Sequence, residues 1–301
     1  MIDFRTINDI LDKLKYYIPT FLADSSCEAK KTRQLLRAAI MQLENMEDII
    51  RYKLRLQRYY SDYRKPCQFL DGSAYLNHVE CVRKARGAEV PPEYYTDPLM
   101  YQAASDMFYK QYDDIPVYPI EYGLDYEVEI GVITTKVSMN PSYKEAEESI
   151  VGVVLINDLS LRGLIPNELK KGFGFVHGKP HSTLSDIMVP LEELGVSWKD
   201  NKFCAHLIVN YNGYESVLMP GKDMQFDFAQ LIQHAAKTRP LSDGTLIGSG
   251  TISNRNSDNY GAIVEQRVTN NIMWDYMKEG DTIEINVAGF PQLHIKQIVR
   301  G

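Results

Sequence analysis

Apolar positions along the chain fall into two rhythms. From residue 7 to about residue 60 they recur every three or four places, through Ile7, Ile10, Leu11 and Leu14 and then Leu35, Leu36, Ile40, Leu43, Met46, Ile49 and Ile50. That is the spacing of one helical face. The polar, aromatic run RLQRYYSDYRKP closes this segment, and Pro66 stops any helix. The pattern therefore predicts an N-terminal helical domain, 1–65, and a second domain, 66–301. In the second domain the texture changes to short β-branched runs, YEVEIGVIT, SIVGVVLIND, FCAHLIVNYNG, TLIGSGTIS and DTIEINVAG, separated by Gly, Asn, Asp and Pro. The expected class is α+β: a mainly β domain with a smaller helical segment ahead of it. NGY at 212–214 is a hairpin turn candidate, and MKEGDTIEI presents a turn ahead of a strand. Helices are expected at about 73–86, with Ser73 as N-cap and Gly87 as its end, and at about 226–237 in FDFAQLIQHAAK.

Within YEVEIGVIT and the two residues before it, Asp125, Glu127 and Glu129 stand at every second position. On a strand they share one face, while Tyr126, Val128 and Ile130 share the other. Like charges that close repel. In water the repulsion is screened; in a pocket it requires something positive beside it.

Composition narrows the class of protein. The chain has 301 residues, 44% hydrophobic and 24% charged, enough to bury one or two cores without disulfides or a structural metal. A net charge of −7 argues against nucleic acid as a partner. Cys27, Cys67, Cys81 and Cys204 follow no CxxC or metal-finger spacing, so they read as free thiols of a reducing, cytoplasmic compartment. The longest strongly apolar run is the seven residues IVGVVLI, so no membrane span or signal peptide is expected.

Three further fragments carry candidate chemistry. In DGSAYLNH, Asp71 precedes a helix start and His78 lies two helical turns on. On this fragment alone, a hydrogen-bonded structural histidine is the commoner reading. In INDLSLRG, Asn157 and Asp158 stand where a buried strand ends, followed by Arg162, and Lys171 lies in KKGFGF, whose glycines allow close backbone approach to a ligand. In GSGTISNRNSDNYGAIVEQR, Thr251 sits in a polar turn and Glu265 follows fourteen residues later in GAIVEQR, which reads as a strand.

Taken in order, ExE on a strand, NDxSxR, a KGFGF-like segment, and GTIS with a Glu fourteen residues on resemble the fumarylacetoacetase family of carbon–carbon hydrolases. The Asp-x6-His pair ahead of them is similar to that family's first metal ligand and catalytic histidine. The resemblance covers about residues 67–300 and implies a fumarylacetoacetase-like mixed β-roll. It implies that Asp71, Glu127, Glu129 and Asp158 bind one divalent cation, and an all-carboxylate shell suits Mg²⁺, Ca²⁺ or Mn²⁺. Asp125 is assigned to the strand's edge, since the family motif uses only the two glutamates.

The resemblance further implies His78 as general base, Glu265 as the group orienting its imidazole, Arg162 and Lys171 as oxyanion donors, and Thr251 and Tyr101 as substrate contacts. The implied substrate is a small dicarbonyl acid: fumarylacetoacetate, cleaved to fumarate and acetoacetate in tyrosine and phenylalanine breakdown. The implied assembly is a homodimer. Alternatives are an acylpyruvate hydrolase, an oxaloacetate decarboxylase or an isomerase of the same superfamily, and a non-catalytic metal-binding scaffold. The chain departs from well-known members at Gly163 and Ile165, where they carry an acid and a Gln, and at Ser73, where they carry a Tyr.

Overall fold

The computed structural model describes residues 66–85, 87–269 and 274–301. The helical segment expected over 1–65 lies outside them. The described residues form a mixed α+β, mainly β structure. Its strands are β1 (Gln68–Gly72), β2 (Met100–Gln102), β3 (Leu124–Asp125), β4 (Val128–Thr134), β5 (Ile150–Asn157), β6 (Ser160–Leu161), β7 (Thr183–Leu184), β8 (Val189–Pro190), β9 (Trp198–Lys199), β10 (Lys202–Phe203), β11 (Leu207–Tyr211), β12 (Tyr214–Leu218), β13 (Thr245–Gly248), β14 (Thr282–Val287) and β15 (His294–Ile298). The α-helices are α1 (Leu76–Ala85), α2 (Tyr143–Glu148), α3 (Ile165–Leu169), α4 (Leu191–Leu194), α5 (Phe228–Ala235) and α6 (Ile263–Thr269).

Two sheets carry the architecture. The larger runs β2-β1-β13-β4-β5-β7, with β8 also on β5; β1 and β13 are parallel and the other pairs antiparallel. The smaller, β12-β11-β14-β15, is antiparallel throughout. Burial differs between them in a way that sets up the chemistry. β14 alternates buried and half-buried residues, the mark of a sheet with one wet face, whereas every residue of β4 and β5 is buried. An acid on β4 is therefore shielded from bulk water on both faces of the sheet. One apolar cluster joins the layers, with Val128, Ile130 and Val132 of β4, Val209 and Tyr211 of β11, Ile283 and Ile285 of β14, and Phe228, Leu231 and Ile232 of α5.

Local signals explain most element ends. Asn212 and Gly213 both take positive φ, 50° and 86°, as a two-residue hairpin between β11 and β12 requires. Asp227 caps α5 in a reciprocal box with Gln230. Gly87, at φ +66°, closes α1 as expected: its N–H donates to the Lys84 carbonyl and that of Ala88 to the Arg83 carbonyl. The start of α1 differs from expectation. The backbone N–H groups of Ser73 and Ala74 bond to the carbonyls of Leu99 and Ser249, on the β2 and β13 sides of β1, so those residues prolong the strand's pairing and the helix begins at Leu76.

GAIVEQR is a correction: Ile263–Thr269 is a helix, not a strand. Its β-branched residues favour a strand, but Asp125 accepts from the first two helical N–H groups, and that cap outweighs propensity. Among the described residues Cys67, Cys81 and Cys204 are free thiols, and no helix is long and apolar enough to cross a membrane.

Candidate active site

One end of the larger sheet gathers the acids. Asp71 lies near the end of β1, opposite Tyr101 of β2 and Gly248 of β13; Glu129 lies on β4; Asp158 follows β5, its N–H donating to the Glu127 carbonyl. Asp71, Glu129 and Asp158 offer carboxylate oxygens all within 4.8 Å of one another, and all three are buried. Both oxygens of Glu129 are buried with no hydrogen-bond partner. Burial and the neighbouring charge of Asp158 push Asp71 up to about 8, and burial with the charges of Asp71 and Asp158 pushes Glu129 well above the usual carboxylate range. A buried carboxylate pair with orphaned oxygens is costly unless a cation neutralises it. The donor set is hard oxygen, so the residues present fit Mg²⁺, Ca²⁺ or Mn²⁺.

Glu127 stands beside this triad in a different role. Its Oε1 accepts from Arg162 Nη2 at 2.6 Å and its Oε2 from Lys179 Nζ at 2.6 Å. Burial alone would raise its pKa, but the charges of Arg162 and Lys179 and the His78 contact hold it well below the usual value. Asp158 is held on every side. Tyr101 Oη donates to its Oδ2 at 2.8 Å, Ser182 Oγ donates to its Oδ1, and Lys179 Nζ pairs with it. Tyr101 thus positions an acid in addition to lining the cavity.

The lysine that the structure places among the acids is Lys179, and Lys171, the residue expected there, is not brought to the site. Lys171 is exposed on the loop after α3, where Gly172 and Gly174 adopt positive φ, and that loop carries the chain back so that Lys179, eight residues on, is buried among the acids. The sequence cue is faint: a lysine between Gly178 and Pro180, just ahead of β7. Asp125 has a role that the motif does not reveal. It ends β3 as an edge position would, yet it is fully buried, because the strand breaks between Asp125 and Val128 and turns its carboxylate towards Arg162 and α6.

His78 and Glu265 meet because α1 packs on α6. His78 Nδ1 lies 2.9 Å from Glu265 Oε1, and its Nε2 faces Glu127 Oε1 at 3.5 Å. Burial opposes its protonation, but bonding to Glu127 and Glu265 raises its pKa to about 9. Gly261 N–H donates to the second Glu265 oxygen, which fixes that carboxylate. Arg162 is held at two corners, Nε on Asp125 Oδ2 at 2.9 Å and Nη2 on Glu127, leaving Nη1 without a hydrogen bond among the described residues.

The site opens on a cavity of about 450 Å³. Its polar end holds Asp71, Glu127, Glu129, Lys179 and Arg162 with His78 and Thr251, and Val79, Val82, Leu99 and Phe175 form its apolar wall. Ser73 and Ile165 line it where larger polar groups are expected from the resemblance. Gly163 has a structural cause: a Cβ there would stand 2.1 Å from the Glu121 carbonyl oxygen, so no side chain fits.

Known proteins resemble this chain in sequence and in fold. Residues 68–297 match the family described as "Fumarylacetoacetate (FAA) hydrolase C-terminal". A 2,4-didehydro-3-deoxy-L-rhamnonate hydrolase of Sphingomonas sp. (strain SKA58) is 28% identical over 195 residues, 64% of this chain and 62% of that protein. An uncharacterized protein of Pyrococcus abyssi (strain GE5 / Orsay) is 28% identical over 131 residues, 42% of this chain and 56% of that one. The chain thus spans about three-fifths of the length of these relatives. The crystal structure of 5-carboxymethyl-2-hydroxymuconate delta-isomerase from Mycobacterium smegmatis shares the fold, with a TM-score of 0.54 at 17% identity over 78% of this chain and 79% of that one.

Proposed function

The chain belongs to the fumarylacetoacetate hydrolase family, and from that premise we propose that it is a divalent-cation-dependent hydrolase that cleaves a carbon–carbon bond of a 1,3-dicarbonyl acid. One observation carries the reading: His78, held 2.9 Å from Glu265, opens on the same cavity as Asp71 and Glu129, two acids of the buried triad, the second with both oxygens unpartnered. A non-catalytic scaffold has no need of a base so oriented beside an Arg162 Nη1 left without a hydrogen bond among the described residues.

Asp71, Glu129 and Asp158, with Glu127 beside them, would hold the ion, which supplies Lewis-acid stabilisation of the charge on the departing enolate. The chain's own groups account for the remaining steps. His78 Nε2 takes the proton from water as the oxygen adds to one carbonyl carbon, while Glu265 holds Nδ1–H and stabilises the imidazolium. In the field of Glu127 and Glu265 alone His78 keeps its proton up to about pH 9, and neutralising the neighbouring acids draws that value down towards the range where imidazole acts as a base. Arg162 Nη1 is the donor free to meet the oxyanion. Lys179 keeps Glu127 and Asp158 in place and adds positive charge to the same end. The bond to the central carbon then breaks, its electron pair leaves as the enolate, and the proton on His78 returns to that carbon. The products are a carboxylic acid and a ketone.

Fumarylacetoacetate is the first substrate of this reading. An acylpyruvate is the second, favoured by the 2,4-dioxo acid named for the Sphingomonas relative and by Ser73 and Ile165, which leave the cavity with fewer polar contacts for a second carboxylate. The test is loss of ultraviolet absorbance of each compound with Mg²⁺ and purified protein. Turnover of either supports the hydrolase. A protein that binds the cation and turns over neither contradicts it.

A further inference from the structure

Asp125 lies outside the acid triad, yet it is fully buried and makes three charge-assisted contacts to the two halves of the catalytic apparatus. Its Oδ1 accepts from Ile263 N at 2.8 Å; its Oδ2 accepts from Val264 N at 3.1 Å and from Arg162 Nε at 2.9 Å. The first two contacts fix the start of α6, the helix that carries Glu265 and through it His78. The third fixes one corner of the guanidinium whose other corner is on Glu127. We infer that Asp125 is a positioning residue that sets the His78–Glu265 pair and the Arg162 fork in one register, so that base and oxyanion donor face the same reacting carbon.

Base and donor come from separate parts of the chain, His78–Glu265 from the α1–α6 pair and Arg162 from just after β6. Among the described residues Asp125 is the side chain that bonds both α6 and Arg162. Three donors converge on two oxygens, and a carboxylate satisfies all three. A carboxamide has one acceptor atom: with its oxygen at the Oδ2 position it leaves the Ile263 N–H facing an NH₂, and flipped it sets that NH₂ against Arg162 Nε and Val264 N. Either orientation loosens one half of the site relative to the other. Misplacing a catalytic group by about 1 Å costs on the order of 100-fold.

The inference rests on the hydrolase reading, and its test separates the two. Asp125→Asn is expected to unfold cooperatively and to bind Mg²⁺ within about threefold of the parent, since it touches none of the triad. It is expected to lower kcat about 10- to 100-fold with little change in KM. Combined with Glu265→Gln, its loss is expected to be smaller than the product of the single losses, because both act on the same pair. A kcat within twofold of the parent, or losses that multiply, overturns the inference. Should the parent turn over neither dicarbonyl acid, the hydrolase reading fails, and Asp125 is judged by the ¹⁵N resonances of the His78 ring. A shifted or exchange-broadened Nδ1–H signal in the variant supports the positioning role, and an unchanged one overturns it. If Asp125→Asn does not fold, Asp125→Ser, which keeps one acceptor oxygen, is read in the same way.

Discussion

Gly248 and Asp71 stand opposite each other in the parallel β1–β13 pair, and a Cβ on Gly248 would lie 2.3 Å from Asp71 Oδ1 and 3.1 Å from Glu129 Oε2. The backbone of β13 is thus the floor on which two acids of the triad rest. Adding a methyl group has to push them apart. Gly248→Ala is expected to weaken Mg²⁺ binding by at least about 10-fold and to destabilise the protein by about 1–3 kcal/mol. Calorimetric titration and denaturant unfolding check the two effects.

Without a cation the acids make stability fall as pH rises. Asp71 has a folded value of about 8 against an ordinary 3.8, so the native state keeps a proton that the unfolded chain has released. His78, raised from 6.5 to about 9, contributes in the same direction, with its stabilisation present below 6.5 and lost on the way to 9. Glu127, held below its ordinary value, acts only at lower pH. In EDTA the unfolding free energy is expected to decrease from pH 5 to pH 8.5. With Mg²⁺ the slope should flatten or reverse, because metal binding favours the ionised acids. Urea unfolding at several pH values measures both slopes.

Two lysines eight residues apart should behave in opposite ways. Lys179 is buried between Glu127 and Asp158, whereas Lys171 is exposed. Lys179→Met removes the partner of two buried charges and is expected to cost roughly 3–5 kcal/mol in the absence of Mg²⁺, with loss of turnover. Lys171→Met should change stability by no more than about 0.5 kcal/mol. Thermal unfolding of the two variants side by side tests the assignment.

Base and cation site should also separate. His78→Ala removes the proton acceptor without touching a triad oxygen and is expected to lower kcat about 100- to 10,000-fold while Mg²⁺ affinity stays nearly intact. Rate and calorimetric measurements on the same preparation decide this. Equal loss of both would make the histidine a ligand or a structural group.

How much of this was legible in the chain depends on how local each feature is. The runs that became β4, β5, β11 and β14 and the Asn212–Gly213 turn rest on neighbouring residues, and they stand where the pattern put them. Asp71, Glu129 and Asp158 could be named from motif order, and the fold brings them together. The misses are long-range. Asp125 and α6 are 138 residues apart in sequence, so nothing local reveals that GAIVEQR has a carboxylate waiting to cap it as a helix. Lys171 and Lys179 flank one glycine-containing loop, and only the path of that loop decides which ammonium enters the cavity. Gly163 is small because the Glu121 carbonyl occupies the space of a side chain, a contact between strangers in sequence.

The most direct measurement is calorimetric titration of the metal-free protein with Mg²⁺ and with Ca²⁺, repeated on Glu129→Gln. The parent is expected to bind one cation per chain, and the variant, which keeps the shape but removes the charge from the two unpartnered oxygens, to bind none in the same range. Equal binding by both, or no binding by the parent, would contradict a cation held by these acids.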